Sequence, residues 1–199
     1  MRLDVAELRR RLGQHRGISQ TVYGDDGALL PERQAAAVTP ASVLVPVVAH
    51  PQELTVLFTR RTAHLKNHSG QVSFPGGRAE PADPSPEFTA LRETEEEIGL
   101  PAGRVEVLAR LPEYLTRTGF RVTPVVGLVT PPLELVPDAR EVDEVFEVPL
   151  DFLLDPGNHR RETRVLAGRT ASYYVMEHHG RVIWGATAGM LMNLYRILA

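Results

Sequence analysis

Four glutamates near the end of one predicted helix are the residues of this chain best suited to chemistry. Glu93 follows Arg92, and Glu95, Glu96 and Glu97 form an unbroken run. At about 100° per residue, Glu93, Glu96 and Glu97 share one face of that helix. Arg92 lies next to Glu96, and Glu95 points elsewhere. Acidic residues at a helix C-terminus oppose the dipole and repel one another, so the pattern indicates a compensating divalent cation such as Mg²⁺ or Mn²⁺.

The residues around this run predict a short helix with clear ends. Ser85 is a good N-cap, Pro86 suits the first helical position, and Gly99 is a natural stop. The spacing of three and four residues predicts one buried stripe, at Phe88, Leu91, Thr94 and Ile98. The alternative for the acidic run is a solvated helix face. Its place at the negative end of the dipole and a preceding Gly-Gly turn favour the metal site.

The stretch 77–100 as a whole resembles the Nudix box, a long pattern that joins a glycine, an acidic residue and a glutamate-rich helix. The residues that match it are Gly77, Arg92, Glu93, Glu96, Glu97, Gly99 and Leu100. Asp83 stands where the pattern has its first glutamate, and the interval from Asp83 to Arg92 is one residue longer. Thr94 fills an aliphatic position. A motif of this length is far more specific than a lone glycine-rich signature.

This resemblance implies a fold and a set of roles. The fold would be α+β, an α/β/α sandwich with a mixed central sheet between helices. Glu93 and Glu97 would bind the metal directly, and the carbonyl of Gly77 would complete the set of ligands. Glu96 would bind a further metal ion, directly or through water. Arg92 would orient the glutamates through charge-assisted hydrogen bonds. The cofactor would be one to three Mg²⁺ or Mn²⁺ ions.

Positive charge gathers just before the Gly-Gly turn. A strand predicted over 53–60 leads into a loop with the basic residues Arg60, Arg61, His64, Lys66 and His68. Cations beside an acidic metal site suit a polyanionic substrate that carries a pyrophosphate. The alternative is a basic surface loop without a ligand, but its place between a strand and the acidic helix favours the first interpretation. We assign no chemistry to the two histidines.

The same segment resembles a second signature, found in the coenzyme A pyrophosphatase branch of Nudix hydrolases. The matching residues are Leu57, Thr59, Arg61, Gly70, Phe74, Pro75, Gly76 and Gly77. Phe58, Thr62 and Lys66 replace a leucine, a serine or alanine, and an arginine. The resemblance implies hydrolysis of the pyrophosphate bond of coenzyme A or its derivatives. The products would be 3′,5′-ADP and 4′-phosphopantetheine or its acyl form, with Arg61 and Lys66 binding substrate phosphates.

Several alternatives stay open. The group that takes the proton from the attacking water could be Glu93, or Glu141 or Glu144 after a proline-rich loop. A second function is a Nudix pyrophosphatase for ADP-ribose, NADH or nucleoside triphosphates. A third is a non-catalytic nucleotide-binding protein. The glutamate cluster argues against the third, because a binding protein gains nothing from uncompensated carboxylates.

The composition of the 199 residues narrows the class of protein further. A net charge of −3 gives no general attraction to nucleic acid or anionic membranes. The absence of cysteine excludes a disulfide framework, a thiolate zinc site and a cysteine nucleophile. No signal peptide or membrane-spanning apolar run is evident, so we expect a cytoplasmic enzyme with a small-molecule substrate and neither nucleic acid nor membrane as partner. The oligomeric state stays open, and a homodimer is one option.

The distribution of apolar residues predicts two parts. Residues 1–40 look like an N-terminal extension with a short amphipathic helix through Leu3, Val5, Leu8 and Leu12. Residues 41–199 would form the Nudix hydrolase domain. Its expected strands are 42–50 and 53–60 as a hairpin, 71–74, 105–111, 113–118 and 121–130 as a second hairpin, a strand end within 145–154, and the late pair 163–167 and 172–177. A closing helix is expected over 186–198.

Overall fold

A computed structural model describes residues 3–15, 23–24, 38–63, 70–166 and 169–199 of the chain. Its helices are α1 (Val5–Gln14), α2 (Pro86–Ile98), α3 (Leu150–Leu154) and α4 (Gly185–Leu198). The strands are β1 (Tyr23–Gly24), β2 (Thr39–Ala49), β3 (Leu54–Arg61), β4 (Val72–Ser73), β5 (Gly76–Arg78), β6 (Val105–Arg110), β7 (Tyr114–Leu115), β8 (Phe120–Val129), β9 (Val142–Pro149), β10 (Arg160–Leu166), β11 (Arg169–His178) and β12 (Arg181–Trp184).

Within the described ranges, nine strands form a mixed sheet, and three form a smaller antiparallel one. Strand β2 lies in the middle of the mixed sheet, parallel to β8 and antiparallel to β3 and β5. Strand β3 in turn pairs with β4 and β9. Strand β5 pairs with β2, and strand β4 pairs with β3. The two central strands therefore fix both ends of the segment from β4 to β5, which contains Gly76 and Gly77.

Helices and the small sheet cover the two faces of the mixed sheet. Helix α2 packs on one face, where Ala90 and Ile98 join a core cluster with Leu44, Leu57 and Val125. A larger cluster on the opposite face takes side chains from α1, α3, α4, β11 and β12. The predicted α+β sandwich, with a mixed sheet held between helices, is confirmed.

Most predicted elements are present with small shifts in their ends. The hairpin of β2 and β3, the hairpin of β7 and β8, and the late strand pair β10 and β11 occur where alternation predicts them. Strands β5 and β12 were not predicted, because each is short and acquires its conformation by pairing with a longer strand. The chain from 76 to 78 is therefore a strand, and not only a turn.

The predicted N-terminal helix is present as α1, and Asp4 caps it by accepting a hydrogen bond from the Glu7 N–H at 2.8 Å. Leu8 and Leu12 are fully buried in the larger core cluster. Arg9 pairs with Glu106 of β6 at 2.6 Å. Helix α1 thus packs on the same body as the rest of the described chain.

No helix in the described portion of the chain is both long enough and apolar enough to cross a membrane.

Candidate active site

Helix α2 begins and ends at the residues that the sequence predicts. The Ser85 hydroxyl accepts a hydrogen bond from the Phe88 N–H at 3.2 Å, and Pro86 occupies the first turn. Gly99 ends the helix at φ 71°, in the left-handed conformation that glycine adopts without strain. These local signals fix the length of the helix and therefore the position of its last turn, which carries the glutamates.

The inner face of α2 differs from the predicted stripe, of which Thr94 and Ile98 are buried, Leu91 is partly buried and Phe88 is not buried. Phe88 was expected in the buried stripe, yet it is 46% exposed, so this prediction is wrong. The residues that α2 buries are Thr89, Ala90, Thr94, Glu97 and Ile98. The sheet packs against the face of α2 that carries Glu97. Phe88 therefore points away from the sheet.

Glu97 is the buried carboxylate of the site, with 6% of its surface exposed. Its Oε2 accepts a hydrogen bond from the Gly76 N–H at 3.2 Å, and Arg61 Nη1 lies 3.7 Å from its Oε1. Burial raises the pKa of Glu97 to about 7, although the Gly76 N–H and Arg61 act in the opposite direction. The Glu97 carboxylate therefore sits where a further positive charge would be stabilising.

Glu93 lies against the glycine pair. A Cβ at position 77 would come within 2.4 Å of Glu93 Oε2, so only glycine leaves room for this carboxylate. Burial raises the pKa of Glu93, and Arg92, whose Nη1 lies 2.9 Å from its Oε1, opposes the shift. Glu93 and Glu97 thus both approach strand β5, one at Gly77 and the other at Gly76.

Glu96 and Glu95 are more exposed than the other two glutamates. The Glu96 side chain is 61% exposed, and its Oε2 accepts a hydrogen bond from Arg92 Nη1 at 3.2 Å, the expected contact between residues four apart. Glu95 is exposed and accepts a hydrogen bond from the Ala102 N–H at 3.3 Å, outside the cluster. The structure therefore brings Glu93 and Glu97 together beside β5, with Glu96 at the rim.

Arg92 links the glutamates to the loop that precedes the helix. Its Nε and Nη2 donate to the two carboxylate oxygens of Asp83 at 3.2 and 3.0 Å, and Nη2 also donates to the Arg78 carbonyl at 3.2 Å. Asp83 accepts further hydrogen bonds from Thr89 Oγ1 and the Glu80 N–H. The Arg92 guanidinium and these donors hold the pKa of Asp83 well below its usual range. Despite the longer interval in the sequence, Asp83 reaches Arg92 directly.

Arg61 and Glu141 face the same cluster from the sheet side. Arg61 Nη2 lies 3.9 Å from Glu141 Oε2, and its Nη1 approaches Glu97. Glu141 also contributes to the raised pKa of both Glu93 and Glu97, which places its charge near theirs. Of the predicted substrate-binding residues, Arg61 lies in the site, whereas Lys66 lies outside the described residues, as do His64 and His68.

Thr62 is a residue of this site that the sequence did not indicate. Its N–H donates to the Glu141 carbonyl at 2.9 Å, and its hydroxyl donates to the Arg140 carbonyl at 3.1 Å. Thr62 is buried, so both bonds are shielded from water. These contacts fix the backbone of Glu141 beside Arg61. The only signal in the sequence is that Thr62 replaces a serine or alanine of the upstream signature.

Glu144 is separated from the cluster. It pairs with Arg60 Nη1 at 3.0 Å and with Arg181, whose guanidinium lies over the Phe146 ring. Residues two apart on a strand share a face, so Glu144 lies on the same face of the sheet as Phe146. Phe146 belongs to the larger core cluster. Helix α2 packs on the opposite face of the sheet. Glu141 and Glu144 therefore occupy different environments although only two residues separate them.

The donor set fits a hard divalent cation. Carboxylates and a backbone carbonyl are the oxygen ligands that such ions prefer, and the Glu97 carboxylate is buried without full compensation. Over the described ranges, no three histidine, aspartate or glutamate side chains are already gathered as a metal site. Arg92 contacts one oxygen of each of two carboxylates, Oε1 of Glu93 and Oε2 of Glu96, so the second oxygen of each can face an ion while Arg92 stays in place.

A mixed sheet between helices, with a glutamate-rich helix set against a Gly-Gly strand, is the arrangement of a Nudix hydrolase. The family model of the NUDIX domain matches residues 38–167. The chain is 40% identical over 154 residues to an uncharacterized Nudix hydrolase, NudL, of Yersinia pestis (strain Pestoides F), and the match covers 77% of each chain. NudL of Yersinia pseudotuberculosis serotype O:1b (strain IP 31758) matches with the same figures. The chain therefore belongs to the Nudix family.

Solved structures show the same fold. The Nudix hydrolase RenU from M. Smegmatis aligns with a TM-score of 0.55 at 23% identity, over 89% of this chain and 92% of its own. A MutT/nudix family protein from Enterococcus faecalis aligns with a TM-score of 0.50 at 16% identity, over 81% and 62%. The protein is a Nudix hydrolase, an enzyme that acts on a pyrophosphate-containing substrate. Nudix hydrolases generally use divalent metal ions.

Proposed function

We propose that this enzyme hydrolyses the pyrophosphate bond of coenzyme A or its derivatives. The products are 3′,5′-ADP and 4′-phosphopantetheine, or the acyl form of the latter. The observation that carries the proposal is the position of Arg61, a residue of the upstream signature. It lies 3.7 Å from Glu97 and 3.9 Å from Glu141, where it can bind a phosphate that does not react.

The backbone around Arg61 supports the same function. The Arg61 N–H donates to the Gln71 carbonyl at 3.0 Å, and the Gly70 N–H donates to the Arg61 carbonyl at 3.1 Å. Arg61 therefore contacts both Gly70 and Gln71, the described residues that follow the stretch with Lys66. A second cation on this stretch suits coenzyme A, because that substrate carries a 3′-phosphate in addition to its pyrophosphate.

In the mechanism we propose, Glu93, Glu97 and the Gly77 carbonyl would hold the metal ion, and Glu96 would hold a further one. When bound, the metal neutralises phosphate charge and lowers the pKa of the attacking water. Arg92 keeps Glu93 and Glu96 oriented, since its Nη1 forms an ion pair with Glu93 and donates a hydrogen bond to Glu96.

Glu141 is our choice for the residue that accepts the proton from the attacking water. Its side chain is about half exposed at 49% and lies on the side of Arg61 and Glu97. The ion pairs of Glu144 with Arg60 and Arg181 favour a structural role for that residue. Glu93 and Glu97 serve as ligands in this scheme, which leaves Glu141 as the remaining carboxylate beside Arg61.

A panel of substrates tests the proposal. The purified chain is incubated with Mg²⁺ or Mn²⁺ and coenzyme A, acetyl-coenzyme A, ADP-ribose, NADH or dATP, and the products are separated. We expect preferential release of 3′,5′-ADP from the coenzyme A species. Preference for ADP-ribose, NADH or dATP would contradict the roles given to Arg61 and Lys66. Turnover of none of the five would reject the proposed substrate altogether.

A further inference from the structure

Strand β10 forms the outer edge of the small sheet. The order of that sheet is β10-β11-β12, and all seven residues of β10 are in register with β11. In the described parts of the chain, no strand pairs with the other side of β10. Residues 161–165 are exposed, and because β10 pairs with β11 on one side, the backbone N–H and C=O groups of alternate residues face outward there. An edge of this kind is a template for pairing with another strand.

Four of the seven residues of β10 are charged, which opposes pairing with an arbitrary strand but not with a strand of complementary charge. The strand has no proline, and its charges are of both signs. Glu162 and Arg164 share one face, where both act on the Tyr173 hydroxyl, and Tyr173 Oη donates to Glu162 at 3.1 Å. Val165, on the opposite face, is 68% exposed. The face that carries Glu162 and Arg164 therefore suits a second strand that places an opposite charge across from each of them.

The complementary sequence is that of β10 itself. In an antiparallel pair related by a two-fold axis, the residue on the axis faces its own copy, and residues at equal distances from it face each other. With Thr163 on the axis, Glu162 faces Arg164 of the second copy, and this contact occurs twice. With Glu162 or Arg164 on the axis, identical charges face each other. Opposite charges directly across two strands stabilise the pair and like charges destabilise it, so among these three registers the charges select Thr163 as the centre.

We propose that β10 is a homodimer interface in which two copies pair antiparallel about Thr163. The two small sheets then form one continuous sheet of six strands. The core cluster that contains Met176 of β11 and Ile183 of β12 lies on one face of the mixed sheet, and helix α2 packs on the opposite face. Pairing through β10 therefore leaves the hydrolase site of each copy uncovered.

Exchange of the two charges provides the test, with the native mass measured over a range of concentrations by sedimentation velocity. For the wild-type chain of 22.0 kDa, we expect the mass to rise toward twice that value with concentration. Arg164→Glu places Glu162 opposite a glutamate, and Glu162→Arg places an arginine opposite Arg164. Each variant alone should raise the dimer dissociation constant about tenfold or more.

An equimolar mixture of the two variants distinguishes pairing from misfolding. In the mixed dimer, every facing pair again has opposite charges, so the dimer should return although neither variant forms it alone. The double variant E162R/R164E should also dimerise. Hydrolase turnover and the circular dichroism spectrum of each variant verify its fold. A wild-type chain that stays monomeric at the highest concentration, or an R164E variant that dimerises as the wild type does, would overturn the proposal.

Discussion

At the scale of single residues, Glu97 has the least compensated charge in the site. Its carboxylate is buried, its pKa is raised to about 7, and its partners are one backbone N–H and a guanidinium at 3.7 Å. We predict that Glu97→Gln keeps the fold, because glutamine has the same shape without a charge to bury, and lowers kcat/KM at least about a hundredfold. Turnover with Mg²⁺ and the circular dichroism spectrum check both parts.

The matched control for this change is Glu95→Gln. Glu95 belongs to the same run of glutamates but is exposed, and it contacts the Ala102 N–H instead of the cluster. We expect near wild-type turnover from this variant. A Glu97→Gln enzyme as active as the Glu95→Gln enzyme would remove Glu97 from the metal site.

Arg61 and Arg60 are adjacent, yet they lie on opposite faces of β3. Arg61 approaches Glu97 and Glu141, whereas Arg60 pairs with Asp143 and Glu144. We predict that Arg61→Ala raises the KM for coenzyme A about tenfold and affects ADP-ribose less, because a charge-assisted contact with a phosphate is lost. Lys66→Ala should act in the same direction.

Steady-state kinetics with both substrates measure this effect, and Arg60→Ala is the control. We expect that control to leave the ratio of the two KM values unchanged. Equal losses for coenzyme A and ADP-ribose in Arg61→Ala would contradict the proposed contact with coenzyme A.

At the scale of elements, the loop before β9 is held to the end of β3 by Thr62. The Asp138 N–H also donates to the Glu97 carbonyl at 2.9 Å, so this loop is attached to α2 as well. We predict that Thr62→Val lowers kcat with little change in KM, since it removes one hydrogen bond that fixes the backbone beside Glu141. Thr62→Ser keeps the hydroxyl and should restore kcat. Equal kcat values for the two variants would show that the hydroxyl does not position Glu141.

The loop before α2 depends on the contact between Asp83 and Arg92. The pKa of Asp83 is lowered in the folded protein, so this group stabilises the fold at pH values above the usual aspartate pKa of about 4. As the pH falls below that value, the unfolded chain takes up the proton first, and the stabilisation is progressively lost. We predict that Asp83→Asn lowers the Tm at pH 7 and that the difference from wild type shrinks toward pH 3.

Thermal unfolding of both proteins between pH 7 and pH 3 measures this difference. Asp143→Asn is a suitable control, because Asp143 is exposed and pairs with Arg60 on another part of the sheet. A Tm difference for Asp83→Asn that stays constant over this range would rule out the lowered pKa as its cause.

At the scale of the whole molecule, the question is whether α1 belongs to a separate N-terminal extension or to the core of the domain. Leu8 and Leu12 are fully buried against the body that contains α4 and β6. We predict that Leu8→Ala lowers the free energy of unfolding by about 2–5 kcal/mol, as in other large-to-small changes in a core. Urea denaturation followed by circular dichroism measures it, with Gln14→Ala, at an exposed position of α1, as control. An effect no larger than that of the control would indicate that α1 is a separate extension.

The sequence by itself determined the local structure and the class of chemistry. The caps of α2, the two hairpins and the spacing of the glutamates follow from neighbouring residues, whose effects on the backbone do not depend on the rest of the fold. The sequence also has a cluster of basic residues between the end of a predicted strand and the acidic helix. These features predicted layers of helices and strands and a carboxylate site, and the resemblance to the Nudix box implied the α+β sandwich.

Only the tertiary structure decided which face of α2 is buried and which carboxylates meet. The spacing of apolar residues predicted that Phe88 is buried, whereas the packing of the sheet on α2 buries Glu97 and leaves Phe88 exposed. Likewise, Glu141 and Glu144 are equivalent candidates in the sequence, but Glu141, in the loop before β9, lies near Arg61, whereas Glu144 of β9 pairs with Arg60 and Arg181. Contacts between residues far apart in the chain have no local signature, because their free energy arises only when the sheet has formed. The contacts of Thr62 and Arg61 with Glu141 are of this long-range type.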